Sequence, residues 1–313
     1  MHAFYADHFV LPLPAGHRFP MEKYAMLRKR LLRELPTLEM QEALPASIDE
    51  LSLVHTPRYI NAVIHGGLTG SEQREIGFPW SEGMAERARR SVGGTVQAAR
   101  TALGGAGVSA NLAGGTHHAY PDKGSGFCVF NDVAVAARLM QAEWAVHGRE
   151  PRERALQVAI VDLDVHQGDG TAHIFGDDAS VFTLSLHGAK NFPVRKKQSD
   201  CDIELPDGCE DAQYLQALEQ GLEQLVRRFK PELIFYLAGA DPHEGDRLGR
   251  LALTDAGMAA RDRRVFDWAW HHRLPLVMTM AGGYGREIDS TIRVQLNTYR
   301  VALAYWQRWQ ALA

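Results

Sequence analysis

A layered α/β fold with a mainly parallel sheet and helices on both faces is what this sequence predicts, on three observations. Four short apolar runs, Val158 to Val161, Val181 to Leu186, Leu233 to Leu237 and Leu276 to Met280, read as strands buried on both faces. Stretches with helical spacing of apolar residues lie between them. Each run is followed at once by glycines or ionisable residues, as happens where strand ends form a binding edge.

The elements follow in chain order. The part before residue 108 reads as mostly helical, ending in an Ala-rich helix from Glu82 to Leu103. Gly114 to Phe130 is a long loop rich in Gly and His, and a loop of that length inside an α/β unit usually carries function. Asn131 to Ala145 is helix-like. Asp169 reads as a turn or cap before a short helix from Gly170 to Phe175. In Asp211 to Arg228, Leu215, Leu218, Leu222, Leu225 and Val226 recur at helical spacing, and Thr254 caps a helix from Asp255 to His272. No linker-like stretch interrupts the chain, so residues 1–313 are expected to form one catalytic domain.

Composition narrows the partners. Of 313 residues, 45% are apolar and 23% charged, which argues against general disorder. With 34 basic and 38 acidic residues the net charge is −4, so the chain is not a globally basic nucleic-acid binder. Arg195-Lys196-Lys197 reads as a solvated loop, and no nucleic-acid partner is expected. There is no signal peptide pattern and no apolar stretch long enough to span a bilayer, so no membrane partner is expected. Three cysteines, Cys128, Cys201 and Cys209, form neither a disulfide framework nor a CxxC zinc site, which suits a reducing cytoplasm.

The polar clusters after the strands are Asp162-Leu-Asp164-Val-His166-Gln-Gly-Asp169-Gly, Ser185-Leu-His187, Ala238-Gly-Ala-Asp241-Pro-His243 and Ala281-Gly-Gly-Tyr284-Gly. Any one aspartate here would be read as a cap or turn residue. Four clusters at one sheet edge argue for a shared site. Asp164, His166 and Asp241 form a donor set suited to a catalytic metal with an open position. Asp164 and His166, two residues apart, share a face if the strand continues. His117-His118, on the Gly-flanked loop, suits proton transfer near neutral pH. The pair His271-His272 is an internal contrast, since it ends a helix and reads as surface. Asp162 and Asp169 are candidates to orient the two loop histidines. Tyr284, after the permissive Gly282-Gly283, suits donation to a developing oxyanion.

On these motifs the chain resembles the histone deacetylase family. The matching stretches are Gly114-Gly-Thr-His-His-Ala, Gly124-Ser-Gly-Phe-Cys-Val-Phe-Asn-Asp132, Asp162 to Gly170, Ser185-Leu-His187 and Gly282-Gly-Tyr284, and they cover nearly the whole chain in the family's order. Ser91-Val-Gly-Gly-Thr95 and Glu244-Gly-Asp-Arg-Leu-Gly249 resemble the class IV branch and its bacterial relatives. The resemblance implies an arginase-like fold and zinc-dependent hydrolysis of an N-acyl amide, with acyl-lysine as substrate. It implies zinc on Asp164, His166 and Asp241, with iron(II) suited to the same ligands. His118 falls on the general base and acid, His117 on its electrostatic partner, and Asp162 and Asp169 on the supporting carboxylates. Tyr284 falls on the transition-state donor. Gly126, Phe127, Phe192, Leu248 and Gly283 fall on the substrate tunnel. A structural potassium is implied at Asp162, Asp164, His166, Ser185 and Leu186.

Two departures bear on the substrate. Val194-Arg-Lys-Lys197 stands where eukaryotic class I members have a Gly-rich turn, and Leu248 stands where polyamine-selective relatives have an acidic residue. The second counts against acetylpolyamines. The absence of a long tail counts against chromatin as main target. Three alternatives stay open at this level: a small-molecule amidohydrolase acting on an acylated amine, an arginase-type two-metal enzyme and an inactive acyl-lysine binder. Nothing in the sequence indicates the oligomeric state.

Overall fold

The computed structural model describes residues 1–311 apart from 9, 12, 15 and 147–153. Its sheet has eight strands: β1 (His2–Tyr5), β2 (Glu39–Glu42), β3 (Val108–Asn111), β4 (Val158–Asp162), β5 (Val181–Gly188), β6 (Cys201–Leu205), β7 (Leu233–Leu237) and β8 (Leu276–Thr279). They lie in the order β2-β1-β3-β8-β7-β4-β5-β6, and every pairing is parallel. The four apolar runs are the four central or near-central strands β4, β5, β7 and β8.

Alternate residues of these strands enter two different cores. Ala159 and Val161 of β4, Ile234 and Tyr236 of β7 and Leu276 and Met278 of β8 face one. Val158, Ile160, Phe235 and Val277 face the other. Period-two side chains that are apolar on both sides require helices on both sides. On the first face lie α1 (Lys23–Glu34), α8 (Asp211–Arg228), α9 (Asp255–His271) and α10 (Ile288–Gln310). On the second lie α5 (Glu82–Thr101) and α6 (Asp132–Val146), with α3 (Pro57–His65) packed on α5. The short helices α2 (Ile48–Leu51), α4 (Gly70–Ile76) and α7 (Asp169–Phe175), with a π-helical segment Ala102–Ala106 after α5, are the remaining helices among the described residues.

Four strands escaped the sequence reading. Of these, β2 reads Glu-Met-Gln-Glu and is largely exposed, a polar edge. At the opposite edge β6 carries Asp202 and Glu204. Both β1 and β3 have only four residues. The region before residue 108 is therefore not simply helical: it supplies an edge of the sheet. Among the described residues no helix is long and apolar enough to cross a membrane.

Register sets where the chemistry emerges. Asp162 of β4 pairs with Ser185 of β5 and Leu237 of β7, and Leu237 pairs with Thr279 of β8. The segments after residues 162, 237 and 279 therefore leave the sheet side by side at its carboxyl edge. Beside them, β3 runs into the loop of residues 112–131, which has no regular helix or strand.

Candidate active site

At that edge Asp164, His166 and Asp241 each offer a ligand atom, and these atoms lie within 4.8 Å of one another. The local geometry differs from the expectation in one respect. Strand β4 ends at Asp162, so Asp164 and His166 meet in a bend rather than by strand alternation. Backbone amides fold that bend: Asp162 Oδ1 accepts from Asp164 N (3.1 Å) and Asp164 Oδ1 from His166 N (2.9 Å). Asp241 crosses from the end of β7, and its Oδ1 accepts from Val165 N at 3.0 Å. Gly282, after β8, donates its N–H to Asp164 Oδ2 at 2.7 Å.

This donor set fits a divalent cation. Asp241 is fully buried, and its Oδ2 has no hydrogen-bond partner. His166 Nδ1 lies 2.9 Å from Asp164 Oδ1 and 3.3 Å from Asp241 Oδ2. Burial, then the charge of Asp164, pushes the Asp241 carboxyl up to about 7. Burial opposes charge on His166, but the two carboxylates outweigh it and raise the imidazole to about 10. Both upward shifts have one electrostatic source, two buried carboxylates held close together, whose negative charge favours a cation between them. A side chain at Gly282 would close that space, since a Cβ there would stand 2.0 Å from Asp241 Oδ2 and 2.6 Å from Asp164 Oδ2.

The loop histidines stand beside it, ring centroids 4.1 Å apart and both rings buried. His117 Nδ1 meets Asp162 Oδ2 at 2.6 Å, and His118 Nδ1 meets Asp169 Oδ1 at 2.6 Å. Asp169 opens α7, but Gly168 occupies the cap position, and the Asp169 carboxylate serves His118 and the Tyr120 hydroxyl (2.9 Å) instead. The two imidazoles are pushed in opposite directions. Burial works against charging His117, but Asp162 and Asp164 prevail and raise it to about 9. Burial, then His117 itself, lowers His118 to about 4 against the pull of Asp169. At neutral pH His117 holds a proton while His118 is free to take one. With Nδ1–H committed to Asp169, the accepting atom of His118 is Nε2.

Tyr284, Gly126, Phe127, His117, His118, Asp164 and His166 line one cavity. Burial, with Asp164 and Asp241 next, holds the Tyr284 phenol well above its ordinary range, so it stays a donor. Gly126 has φ +51°, and a Cβ on it would come within 2.7 Å of the His118 ring and 3.3 Å of Phe192. Phe127 holds φ +66°, a backbone conformation rare for an aromatic residue, at the cavity wall. Phe192 stacks edge-on to His118 at 4.8 Å and is 43% exposed, and it lines the mouth together with Leu248. Gly283 is not part of the wall. Its φ is +148°, a Cβ there would meet Thr291 and Ala240, and the glycine that faces the carboxylates is Gly282. Of the residues expected to hold potassium, Ser185 lies beside Asp162 across β4 and β5, with Leu186 next in the strand. Ser185 Oγ contacts His187 Nδ1 at 2.8 Å, and both Asp162 oxygens are hydrogen-bonded. An ion there would rest largely on backbone carbonyls.

Several positioning groups were not singled out from sequence. Asp132, at the start of α6, accepts from Gly115 N (3.1 Å), Thr116 N (2.8 Å), Thr116 Oγ1 (2.6 Å) and Thr95 Oγ1 (2.6 Å), tying the histidine loop to α5 and α6. Asp246 accepts from Tyr284 N (2.6 Å) and Leu248 N (2.8 Å). Arg261, wholly buried on α9, pairs with Asp262 at 2.8 Å and donates to the carbonyls of Gly239 (2.6 Å) and Leu163 (3.4 Å). It thereby clamps the backbones that carry Asp241 and Asp164. Lys23, also buried, donates to Gly283 O at 3.2 Å and lies 5.1 Å from the centre of the Tyr284 ring. Asp132 and Asp246 sat inside recognised motifs. Arg261 and Lys23 gave no local signal, because an Arg or Lys on an amphipathic helix is ordinarily a solvated residue.

Comparison with known proteins bears on family and fold. Residues 17–298 match the histone deacetylase domain. An uncharacterized protein of Picosynechococcus is 45% identical over 290 residues, covering 92% of this chain and 93% of that one. Histone deacetylase 2 of Arabidopsis thaliana is 32% identical over 280 residues, covering 86% and 70%. In fold, the crystal structure of an HDAC homolog from Aquifex aeolicus superposes with a TM-score of 0.78 at 23% identity, over 96% of this chain and 83% of that one. With the deacetylase domain matched over most of its length, this chain belongs to the histone deacetylase family.

Proposed function

We propose that the chain hydrolyses the amide of an acyl-lysine side chain, with zinc held by Asp164, His166 and Asp241. The observation that carries this is the fully buried Asp241 Oδ2, which makes no hydrogen bond and is set against Asp164 and His166, two residues lining the cavity that also holds His118. Bound there, the metal supplies Lewis acidity toward a carbonyl oxygen and makes water more acidic.

The protein groups divide the remaining work. His118 Nε2 takes a proton from the attacking water and later hands it to the departing amine. Asp169 holds the imidazole in the tautomer this needs. His117, paired with Asp162, offsets negative charge that develops in the cavity. Tyr284 donates a hydrogen bond from its hydroxyl to the oxyanion. Phe127 and Phe192 line the passage for an aliphatic lysine stem, and Gly126 leaves it wide enough beside His118. Two transition metals per chain are not expected, because Asp164, His166 and Asp241 are the only metal-type cluster among the described residues.

The test is an acyl-length series on lysine peptides, run beside acetylpolyamines, with metal content measured on the same sample. One equivalent of metal and turnover of acyl-lysine peptides is expected. Turnover of acetylpolyamines alone, or peptide binding without product from metal-loaded protein, refutes the reading.

A further inference from the structure

The mouth of the cavity is built from separate segments, and they agree in charge. Arg18 before α1, Arg74 on α4, Lys190 after β5 and Arg250 before α9 all line it, and among the described residues Glu75 is the only acidic one that does. Glu75 is paired with Lys123 at 2.6 Å. Lys190 and Arg250 share Asp207, at 3.6 and 3.1 Å. Four cations and one carboxylate thus line the opening, and with the ion-pair partners Lys123 and Asp207 counted, five cations stand against two carboxylates. Arg18 and Arg74 are exposed, and neither makes an ion pair with another described residue. This collar sits on a chain whose net charge is −4, so it is not a reflection of a basic protein.

We infer that the collar selects acyl-lysines flanked by acidic residues, so the substrate is an acidic peptide segment and not a polycation. The inference rests on the acyl-lysine reading and names the substrate class of that site. Cations around a concave opening with apolar walls focus the field outward from the mouth, raising the local concentration and encounter rate of anionic partners. They repel a positively charged substrate body by the same margin. A peptide fits better than a small anion because the cations come from four separate segments of an opening whose lining also includes apolar Phe127, Phe192 and Leu248. Val194, 96% exposed, and the half-exposed Phe192 extend the rim with apolar surface that a chain could cover. The lysine stem would pass Phe192 toward His118 while its neighbours stay outside among Arg18, Arg74, Lys190 and Arg250.

The experiment uses the metal-loaded full chain and three peptides that differ only in the two residues on each side of the acyl-lysine: Asp/Glu, Ser/Gly or Lys/Arg. The acyl group is the one turned over fastest in the length series. Exposed charge pairs are each worth up to about fivefold, so several together predict a kcat/KM ratio of acidic to basic peptide of about tenfold or more at low salt. The ratio should shrink severalfold in high salt as the charges are screened. The double variant Arg18→Glu/Arg74→Glu should lower the ratio at least about fivefold, chiefly through KM. Because each ratio is taken within one protein, a partly misfolded variant still reports it. A wild-type ratio near one, or one favouring basic flanks, overturns the inference while turnover of the Ser/Gly peptide leaves acyl-lysine hydrolysis standing. Equal efficiency on free acyl-lysine and on the acidic peptide also overturns it, in favour of a small anion. Failure of all three peptides removes the underlying reading, and this inference with it.

Discussion

Substituting Gly282 by alanine should cost the protein its metal while leaving its fold. The backbone there has no positive φ to forbid a side chain, so the penalty is steric. The added Cβ would lie 2.0 Å from Asp241 Oδ2, 2.9 Å from its Cγ and 2.6 Å from Asp164 Oδ2, whereas real Cβ atoms essentially never come closer than 3.0 Å. The Asp241 carboxylate must then retreat by about 1 Å, several times the roughly 0.2 Å latitude of metal–ligand distances. It has little room, since the residue is 0% exposed and its other oxygen is held by Val165 N. Overpacking of this kind costs about 1–3 kcal/mol of stability, which a domain of this size can absorb. Outer hydrogen-bond partners of a metal ligand are worth about 10–100-fold in affinity. Displacing a ligand itself should cost at least the upper figure. The assay is chelator competition for zinc, with cobalt(II) absorption as a second readout of ligand geometry and a denaturation curve to verify folding. Gly104→Ala is the control, as a Cβ there meets nothing within 4 Å. A folded Gly282→Ala protein that binds zinc with wild-type affinity would refute the assignment of Asp164 and Asp241 as joint ligands.

Four further outcomes follow from the same geometry. Tyr284→Phe should lower kcat by about a hundredfold or more with zinc content unchanged, the loss typical of one oxyanion donor; steady-state kinetics and metal analysis on one sample decide it. Asp169→Asn removes the acceptor that fixes Nδ1–H of His118, so kcat should fall by about 100-fold or more, and near-normal turnover would show that the tautomer is held otherwise. Arg261→Met strands the buried Asp262 carboxylate without its counter-charge and should cost about 3–5 kcal/mol in urea unfolding, with Arg261→Met/Asp262→Leu recovering part of the loss. His55 is buried and neutral, held by Tyr120 O (3.0 Å) and Asn131 N (3.0 Å), and burial lowers it to about 4. Its folded pKa is below the ordinary 6.5, so its contribution is full above that value and is lost as pH falls toward 4, by up to about 1.4 kcal/mol per pH unit. Unfolding curves from pH 7 to pH 4.5 should be flatter for His55→Gln, and an unchanged slope would exclude His55 as a source of acid sensitivity.

Much of this was legible before any coordinates. The apolar runs that became β4, β5, β7 and β8 are buried on both faces, and such strands announce themselves without needing a partner. The helices from Asp211 and Asp255 began where their periodicity and the Thr254 cap placed them, with the Thr254 hydroxyl accepting from Gly257 N at 3.1 Å. The polar residues just past each strand could be grouped because parallel strands end on the same edge. The edge strands could not be read, because β2 and β6 face water and carry charge, and a four-residue strand such as β3 has too few residues to show a period.

What the local sequence determined, then, is the inventory: parallel strands, the helices that cover them, and a row of carboxylates, imidazoles and glycines at one edge. Tertiary structure decided which of these meet. Asp241 reaches Asp164 only because β7 lies directly beside β4, and no property of either segment specifies that neighbour. The opposite shifts of two adjacent histidines arise from what the fold packs around them: Asp162 and Asp164 raise His117, while burial and His117 itself lower His118. The cationic collar is likewise assembled from residues as far apart as Arg18 and Arg250. Periodicity and capping act within a few residues, whereas charge pairing and steric exclusion act across whatever the fold brings within a few ångströms.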